Sequence, residues 1–358
     1  MAYAAALSSS VAQTVNTNMN KTLAIFLPIL LATAAHADGN AYRVSIDGRI
    51  QATATLRANQ GHYHGQIYYD ASGADGLELA GTAGKPDSFE WGESLWTREG
   101  NDSKPTGTFS GKLSPDGKSG QGAWKSADGK KNLPLTLTRL ARIETVDTPA
   151  ADAWVDYPRF DDPRYARLNE LLAAEAKREL AEHLKSVNEM RAELSGDPDT
   201  AARDRLSSTT SCDIESALPN LVSLLCTVYE FSGGAHGNTT LEARDYAVAA
   251  DGAAHPFGLW DVLRKSPANV NKLSGLIVAD LKRQKASSVV NGGIKDFTKE
   301  LDQDQLEFTV VPVGLAFHFS PYAVASYAEG HFRAVIPNRA LAPLYRDDGP
   351  LAARAGKP

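Results

Sequence analysis

A chain of 358 residues that is 42% hydrophobic and 22% charged holds enough apolar side chains to bury real cores, which excludes a wholly disordered polypeptide. Its net charge of −6 is dispersed rather than gathered into basic patches, which argues against nucleic acid as a partner. No apolar run reaches the roughly 18–20 residues that cross a bilayer, so a polytopic membrane protein is excluded as well.

The first informative segment runs from Met19 to Ala37. Lys21 precedes an apolar run from Leu23 to about Ala32, and Ala35-His36-Ala37 fits the small-x-small pattern of a cleavage site. Residues 1–37 therefore read as a secretory signal peptide, with Met19 as the start because residues 1–18 contain no Lys or Arg. Cleavage leaves 321 of the 358 residues and removes one formal charge, Lys21, so the mature net charge becomes −7. No cysteine follows the apolar run to carry a lipid. The expectation is a periplasmic or secreted protein, free of the membrane after cleavage.

Residues 38–143 read as a β meander. Short alternating runs such as Tyr42–Ile46, Gln66–Tyr69 and Leu133–Thr138 are separated by Asp47-Gly48, Asp75-Gly76, Asp116-Gly117 and Asp128-Gly129, the chemistry of tight hairpin turns. Glycines alternate with aromatics in Gly107-Thr-Phe-Ser-Gly111 and Gly120-Gln-Gly-Ala-Trp124, which suits a small barrel or curved sheet. Residues 144–161 read as a linker followed by an extended entry.

The period then changes. From Asp162 to about Leu194, the residues Tyr165, Leu168, Leu172, Leu180, Leu184 and Val187 recur at helical spacing. Asp162 suits the cap and Pro163 the first helical position. The opposite face, with Glu170, Glu175, Lys177, Arg178, Glu182 and Lys185, reads as solvated helix surface. Strand character returns in 221–231 and 239–249, a second helix is expected over 267–284, and strands over 308–312, 314–319 and 331–337. Residues 162–345 thus form an α+β domain with helices on one face of an antiparallel sheet, followed by a flexible tail, 346–358.

The two cysteines, Cys212 and Cys226, flank a turn signal at Pro219-Asn220. Two strands folding back there place the thiols opposite each other, and in an oxidising compartment a disulfide is expected, worth about 3 kcal/mol for a loop of this size.

Chemistry concentrates in Tyr229-Glu-Phe-Ser-Gly-Gly-Ala-His-Gly-Asn238. Gly233, Gly234 and Gly237 give the backbone freedom to bring a partner close, so Gly233, Gly234, His236, Gly237 and Asn238 are candidates for a binding loop. The bland reading of the same run is a structural turn anchored by His236. Tyr322 and Tyr327, in a segment rich in small and aromatic residues, are candidates for a binding rim. His62 and His64 share a strand face, but no third metal ligand accompanies them. Asp302 and Asp304 read as an acidic surface turn. No Gly-x-Ser-x-Gly run, His-Glu-x-x-His helix or phosphate loop is present, so no catalytic residue and no cofactor is assigned.

A set of positions forms a recognisable pattern: Tyr157-Pro158 through Leu168-Asn169, Leu221-Val-Ser223, Tyr229, Gly233-Gly-Ala-His-Gly237, Asp245-Tyr246, Gly252 and Leu259-Trp-Asp-Val-Leu263. It continues through Gly314-Leu-Ala-Phe317, Pro321-Tyr322, Gly330 and Ile336-Pro337. Over about residues 152–345 the chain resembles a bacterial cell-envelope domain of unknown function. That domain occurs in the extracellular part of the lysozyme-sensing anti-sigma factor RsiV and in the accessory region of the deacetylase PdaC. The resemblance implies an α+β fold with a long helix on an antiparallel sheet, as the periodicity does independently. RsiV's sigma-binding part and PdaC's metal-binding catalytic motifs have no counterpart here, so neither activity carries over. The expectation is an exported envelope binding module, not an enzyme. Its ligand would be lysozyme, another wall-active protein or peptidoglycan fragments, and its acidity favours a cationic partner. The alternatives are an envelope hydrolase using His236 and a structural tether without a small ligand.

Overall fold

The computed structural model describes residues 39–59, 61–73, 76–82, 87–97, 102–148, 152–194 and 206–355. The expected signal peptide and the start at Met19 lie outside them. The first eight strands are β1 (Gly39–Ile46), β2 (Ile50–Asn59), β3 (His62–Tyr69), β4 (Leu77–Thr82), β5 (Ser88–Thr97), β6 (Asp102–Leu113), β7 (Ser119–Ser126) and β8 (Asn132–Thr148). Each pairs antiparallel with the next, and β1 also pairs with β8, Gly39 opposite Ile143, which closes an eight-stranded antiparallel barrel. The turn after β1 places Asp47 at φ 54° and Gly48 at φ 66°, the two consecutive left-handed residues that an Asp-Gly hairpin supplies. Inward side chains, among them Val44, Leu56, Ile67, Trp91, Phe109 and Leu137, fill the barrel with an apolar core.

The segment expected as a linker is strand instead. β8 is 17 residues long and runs on past the barrel, where Glu144–Thr148 pair with β9 (Ala153–Phe160). Next comes a helical turn, Pro163–Tyr165, capped by the Asp162 carboxylate accepting from the Arg164 amide. Helix α1 (Ala166–Glu193) follows directly. Asn169 ties this helix to β9, accepting from the Phe160 amide at 2.8 Å and donating to its carbonyl at 3.0 Å. After α1 the chain enters β10 (Ser207–Leu218), β11 (Leu221–Phe231), β12 (Asn238–Val248) and the short β13 (Ala254–Pro256). β9 and β10 are parallel, a departure from the expected purely antiparallel sheet. A long helix between two strands lets the chain return to its starting end, as a hairpin cannot. All thirteen strands form one continuous sheet.

Leu168, Leu172 and Ala176 of α1 pack on Val155, Ile214, Val222 and Leu224, and the same core takes in Ala41, Ala141 and Ile143 from the barrel wall. The barrel and the helix-on-sheet module therefore share apolar packing, and the described residues fall in one compact unit. β14 (Glu307–Val311), β15 (Gly314–Phe319) and β16 (Phe332–Pro337) make a separate three-stranded antiparallel sheet. It is joined to the first where Ser216 donates to the Val310 carbonyl at 2.8 Å and the Val310 amide donates to Ser223 at 3.0 Å. Helix α2 (Pro267–Arg283), capped by Ser266, buries Leu273, Ile277 and Leu281 in the core around this second sheet.

Residues 346–355 are not a loose tail. Tyr345 bridges to Leu263, Leu351 is buried, and Arg354 donates to the Val311 carbonyl at 3.1 Å. The Pro219-Asn220 turn folds β10 onto β11 with Cys212 opposite Cys226, and the two are joined in a disulfide.

Two buried arginines, with three ion pairs between them, lock the parts together. Arg57, on the outer face of β2, donates to Asp156 of β9 at 2.8 Å, to Asp213 of β10 at 2.7 Å and to the Cys212 carbonyl at 2.9 Å. Arg333 of β16 makes two bonds of 2.6 Å to Glu215 of β10 and lies 5.3 Å from the ring centre of Tyr68 in the barrel.

Candidate functional site

The loop between β11 and β12 carries the glycine-rich run. Gly233 at φ 108° and Gly234 at φ 87° lie in the left-handed region, with no atom near the place of a Cβ. Their requirement is conformational. Gly237 differs: a Cβ there would stand 2.3–2.5 Å from ring atoms and the hydroxyl of Tyr229. The Gly237 carbonyl accepts from two neighbours, His236 Nδ1 at 2.8 Å and the Tyr327 hydroxyl at 3.3 Å.

His236 and Tyr327 stack, their ring centres 4.2 Å apart and their planes 18° from parallel. Tyr322 stands 5.3 Å from Tyr327 and is 62% exposed, at φ 72°, a strained conformation for an aromatic residue. The supporting segment is anchored. Ser320 accepts from the Leu241 amide at 2.9 Å, Val324 and Ala325 are buried, and Glu329 accepts from Ser326 and Ser287 at 2.9 and 2.7 Å. Hydrogen bonds from Ser287 and Ser326 hold the Glu329 carboxyl below the ordinary carboxylate range.

The fold thus gathers residues 86–91 positions apart in sequence into a shelf of three rings, His236, Tyr327 and Tyr322, on an exposed surface. Gly233 and Gly234 lie in the same loop, whereas Asn238 is the first residue of β12, opposite Glu230. Tyr229, 37% exposed, packs beneath Gly237 and is the member that reading the loop alone misses. The signal was present in the sequence as the aromatic that opens the run.

A second feature lies between α1 and β12. A groove of about 400 Å³ is lined by both charges, including Arg178, Glu179, Glu182 and His183 from the helix and Glu242 and Arg244 from the strand. Glu175, expected on the solvated face, instead accepts from the Tyr246 hydroxyl at 2.6 Å. At the groove's base Arg244 donates to Glu179 at 2.9 Å and to Glu242 at 3.0 Å. Burial pushes the Glu179 carboxyl up, but the hydrogen bond and charge of Arg244 outweigh it and keep the group below its ordinary pKa.

Thr210 donates to Glu179 at 2.5 Å, so its oxygen must accept from His183 Nε2, 2.9 Å away. Nδ1 then accepts from Ser208 at 2.7 Å. The relay Ser208–His183–Thr210–Glu179 fixes one tautomer, and burial keeps the imidazole neutral by lowering its pKa. Ser208 is 3% exposed and does not line the groove, whereas a catalytic nucleophile must meet its substrate. Sequence reading passed over these residues because Arg244 and Tyr246 reach α1 only through the fold.

His62 and His64 are exposed on β3. Among the described residues no three His, Cys, Asp or Glu side chains are grouped to hold a metal ion. No described helix is long and apolar enough to cross a membrane.

An eight-stranded barrel running into a helix-on-sheet module defines the class, a mixed α+β protein with an aromatic shelf on the module. Residues 145–239 match the family model described as "Deacetylase PdaC", and residues 261–339 match the one described as "Protein of unknown function (DUF3298)". The first match contains the loop Gly233–Gly237 and the second contains Tyr322 and Tyr327. A crystal structure of a DUF3298 member from Bacteroides fragilis is 15% identical, covers 60% of this chain and 95% of its own, and superposes with a TM-score of 0.39. A DUF3298 family protein from Pseudomonas aeruginosa PAO1 is 17% identical, covers 57% and 93%, and gives 0.35. No curated protein matches. The resemblance read from the sequence therefore holds, and the module resembles an envelope-associated domain of unknown function. The disulfide and these matches are consistent with an extracellular location.

Proposed function

We propose that this protein is an exported cell-envelope binding module that grips a wall-active protein, lysozyme being the first case to test, through the shelf of His236, Tyr327 and Tyr322. The observation that carries this reading is Tyr322, an aromatic side chain held well out of the protein on a strained backbone. Strain of this kind persists where the surroundings enforce it and is concentrated at binding sites. Exposed aromatic rings are the residues that anchor protein–protein contacts. The acidic chain complements a cationic partner.

The test is titration of the mature protein with lysozyme, at low and moderate salt, by calorimetry and by residual lytic activity. Micromolar or tighter binding that falls by at least about tenfold in Tyr322→Ala is expected, since a central aromatic anchor contributes about 2 kcal/mol or more. Absence of binding at micromolar concentration, or full affinity in Tyr322→Ala, overturns the reading. A second reading, peptidoglycan fragments stacked on the rings, is favoured by the nearly parallel His236–Tyr327 pair and is tested by titrating the same proteins with muropeptides.

A further inference from the structure

We propose that the groove between α1 and β12 is a second binding site, taking a small zwitterionic ligand of peptide type with its carboxylate on Arg178 and its ammonium between Glu182 and Glu242. This goes beyond the shelf and does not depend on it. The groove's volume of about 400 Å³ lies within the roughly 300–1,000 Å³ of small-molecule sites. Its wall includes Phe257 and Val228, apolar surface against which the body of a short peptide can lie.

The polar lining divides into two groups. Glu175, Glu179, Arg244 and His183 are already bonded, to Tyr246, to one another, and to Thr210 and Ser208. They form a rigid floor whose charges are engaged in place, two carboxylates against one guanidinium with the imidazole neutral. Arg178 and Glu182, one helical turn apart on α1, both line the groove and have no ion pair with each other or with any other described residue. A cation and an anion at i and i+4 ordinarily attract, so this pair presents one free charge of each sign on one rim. Glu242, from the facing strand, keeps its second oxygen open while the first binds Arg244. His183 adds no positive charge, because its ring is held neutral by burial and both nitrogens are engaged. The arrangement offers one guanidinium and two carboxylates at the rim of a partly apolar groove, the complement of a molecule with a free carboxylate and a free amine. A guanidinium suits the carboxylate because it can bind it through two parallel hydrogen bonds.

The test uses L-alanyl-L-alanine, titrated into the mature protein and followed by NMR shifts of the residues lining the groove. Two capped controls, N-acetyl-alanyl-alanine and alanyl-alaninamide, each lack one of the charges. Binding with a dissociation constant below about 10 mM is expected, weakened at least about tenfold by either cap. Arg178→Gln should abolish the penalty of the amide cap, and Glu182→Gln should shrink that of the acetyl cap. Both positions are exposed, so the variants should fold, and a thermal melt checks it. Tyr322→Ala should leave this binding unchanged. Failure to bind at about 10 mM, equal binding of capped and free dipeptide, or shifts confined to residues outside the groove would each overturn the proposal.

Discussion

Two kinds of glycine sit five residues apart or less in the same loop. At Gly233 and Gly234 the backbone conformation excludes other residues, whereas at Gly237 the ring of Tyr229 does. Substituting Gly237 by Ala should therefore displace Tyr229 or the carbonyl on which His236 and Tyr327 converge. Overpacking of this kind costs about 1–3 kcal/mol. The expected outcome is a lower melting temperature together with weakened lysozyme or muropeptide binding, and unaltered values for both would show that the ring has room to move. A different residue-scale effect belongs to Asp245, fully buried between the two sheets. It accepts from Ser223, and the negative charges of Glu215 and Glu307 act on it. Burial, reinforced by those acids, pushes its pKa well above the ordinary 3.8. The folded protein thus keeps a proton that the unfolded chain releases, so this group's contribution to stability falls as pH rises above about 3.8 towards the folded pKa. Asp245→Asn should raise the melting temperature at pH 7.5, with the gain shrinking as the pH approaches 4. A gain that is the same at both pH values would refute the linkage.

Element by element, local signals were readable where a pattern repeats or a turn residue stands alone. The cap at Asp162-Pro163, the helical spacing of Leu168 and Leu172, and the Pro219-Asn220 turn that brings Cys212 to Cys226 all follow from neighbours in sequence. What failed is what depends on a distant partner. Glu144–Thr148 looked like a linker because Thr, Val and Asp there have no strong alternation, yet they pair with β9. The parallel pairing of β9 with β10 is set by where α1 delivers the chain. Glu175 looked solvated because a charged stripe on a helix usually is. Tyr246 and Arg244, which turn that stripe inward, lie about 65–71 positions away. The shelf was partly readable: its loop and its two tyrosines stand out as residue types, but not the stacking that joins them.

For the molecule as a whole, Arg57 is a polar tie between barrel and module, beside the apolar core they share. It is buried with two aspartates from separate strands of the module. Removing one partner of a buried ion pair leaves uncompensated charge and costs about 3–5 kcal/mol. Arg57→Ala should shift the urea midpoint strongly downward, and unfolding followed by tryptophan fluorescence should still coincide with unfolding followed by circular dichroism. Noncoincident transitions would mean that barrel and module unfold separately. The same coupling bears on truncation. A fragment starting near residue 144 loses Ala41, Ala141 and Ile143 from its core as well as Arg57, so residues 38–143 are structural support for the module and not a detachable appendage.

The pairing of β1 with β8 also sets the order of events when the chain first folds. Gly39 finds its partner only when Ile143 is present, so the barrel remains an open ribbon until nearly the whole of it has emerged. Such long-range closure is slow, because chain entropy is lost before the contact is gained. The strand that completes the cylinder is also the one that continues into β9, so the seam closes on the segment that starts the module. Until then, the apolar face of seven strands and the free edges of β1 and β7 meet solvent, which places the greatest exposure to aggregation before the last barrel strand arrives.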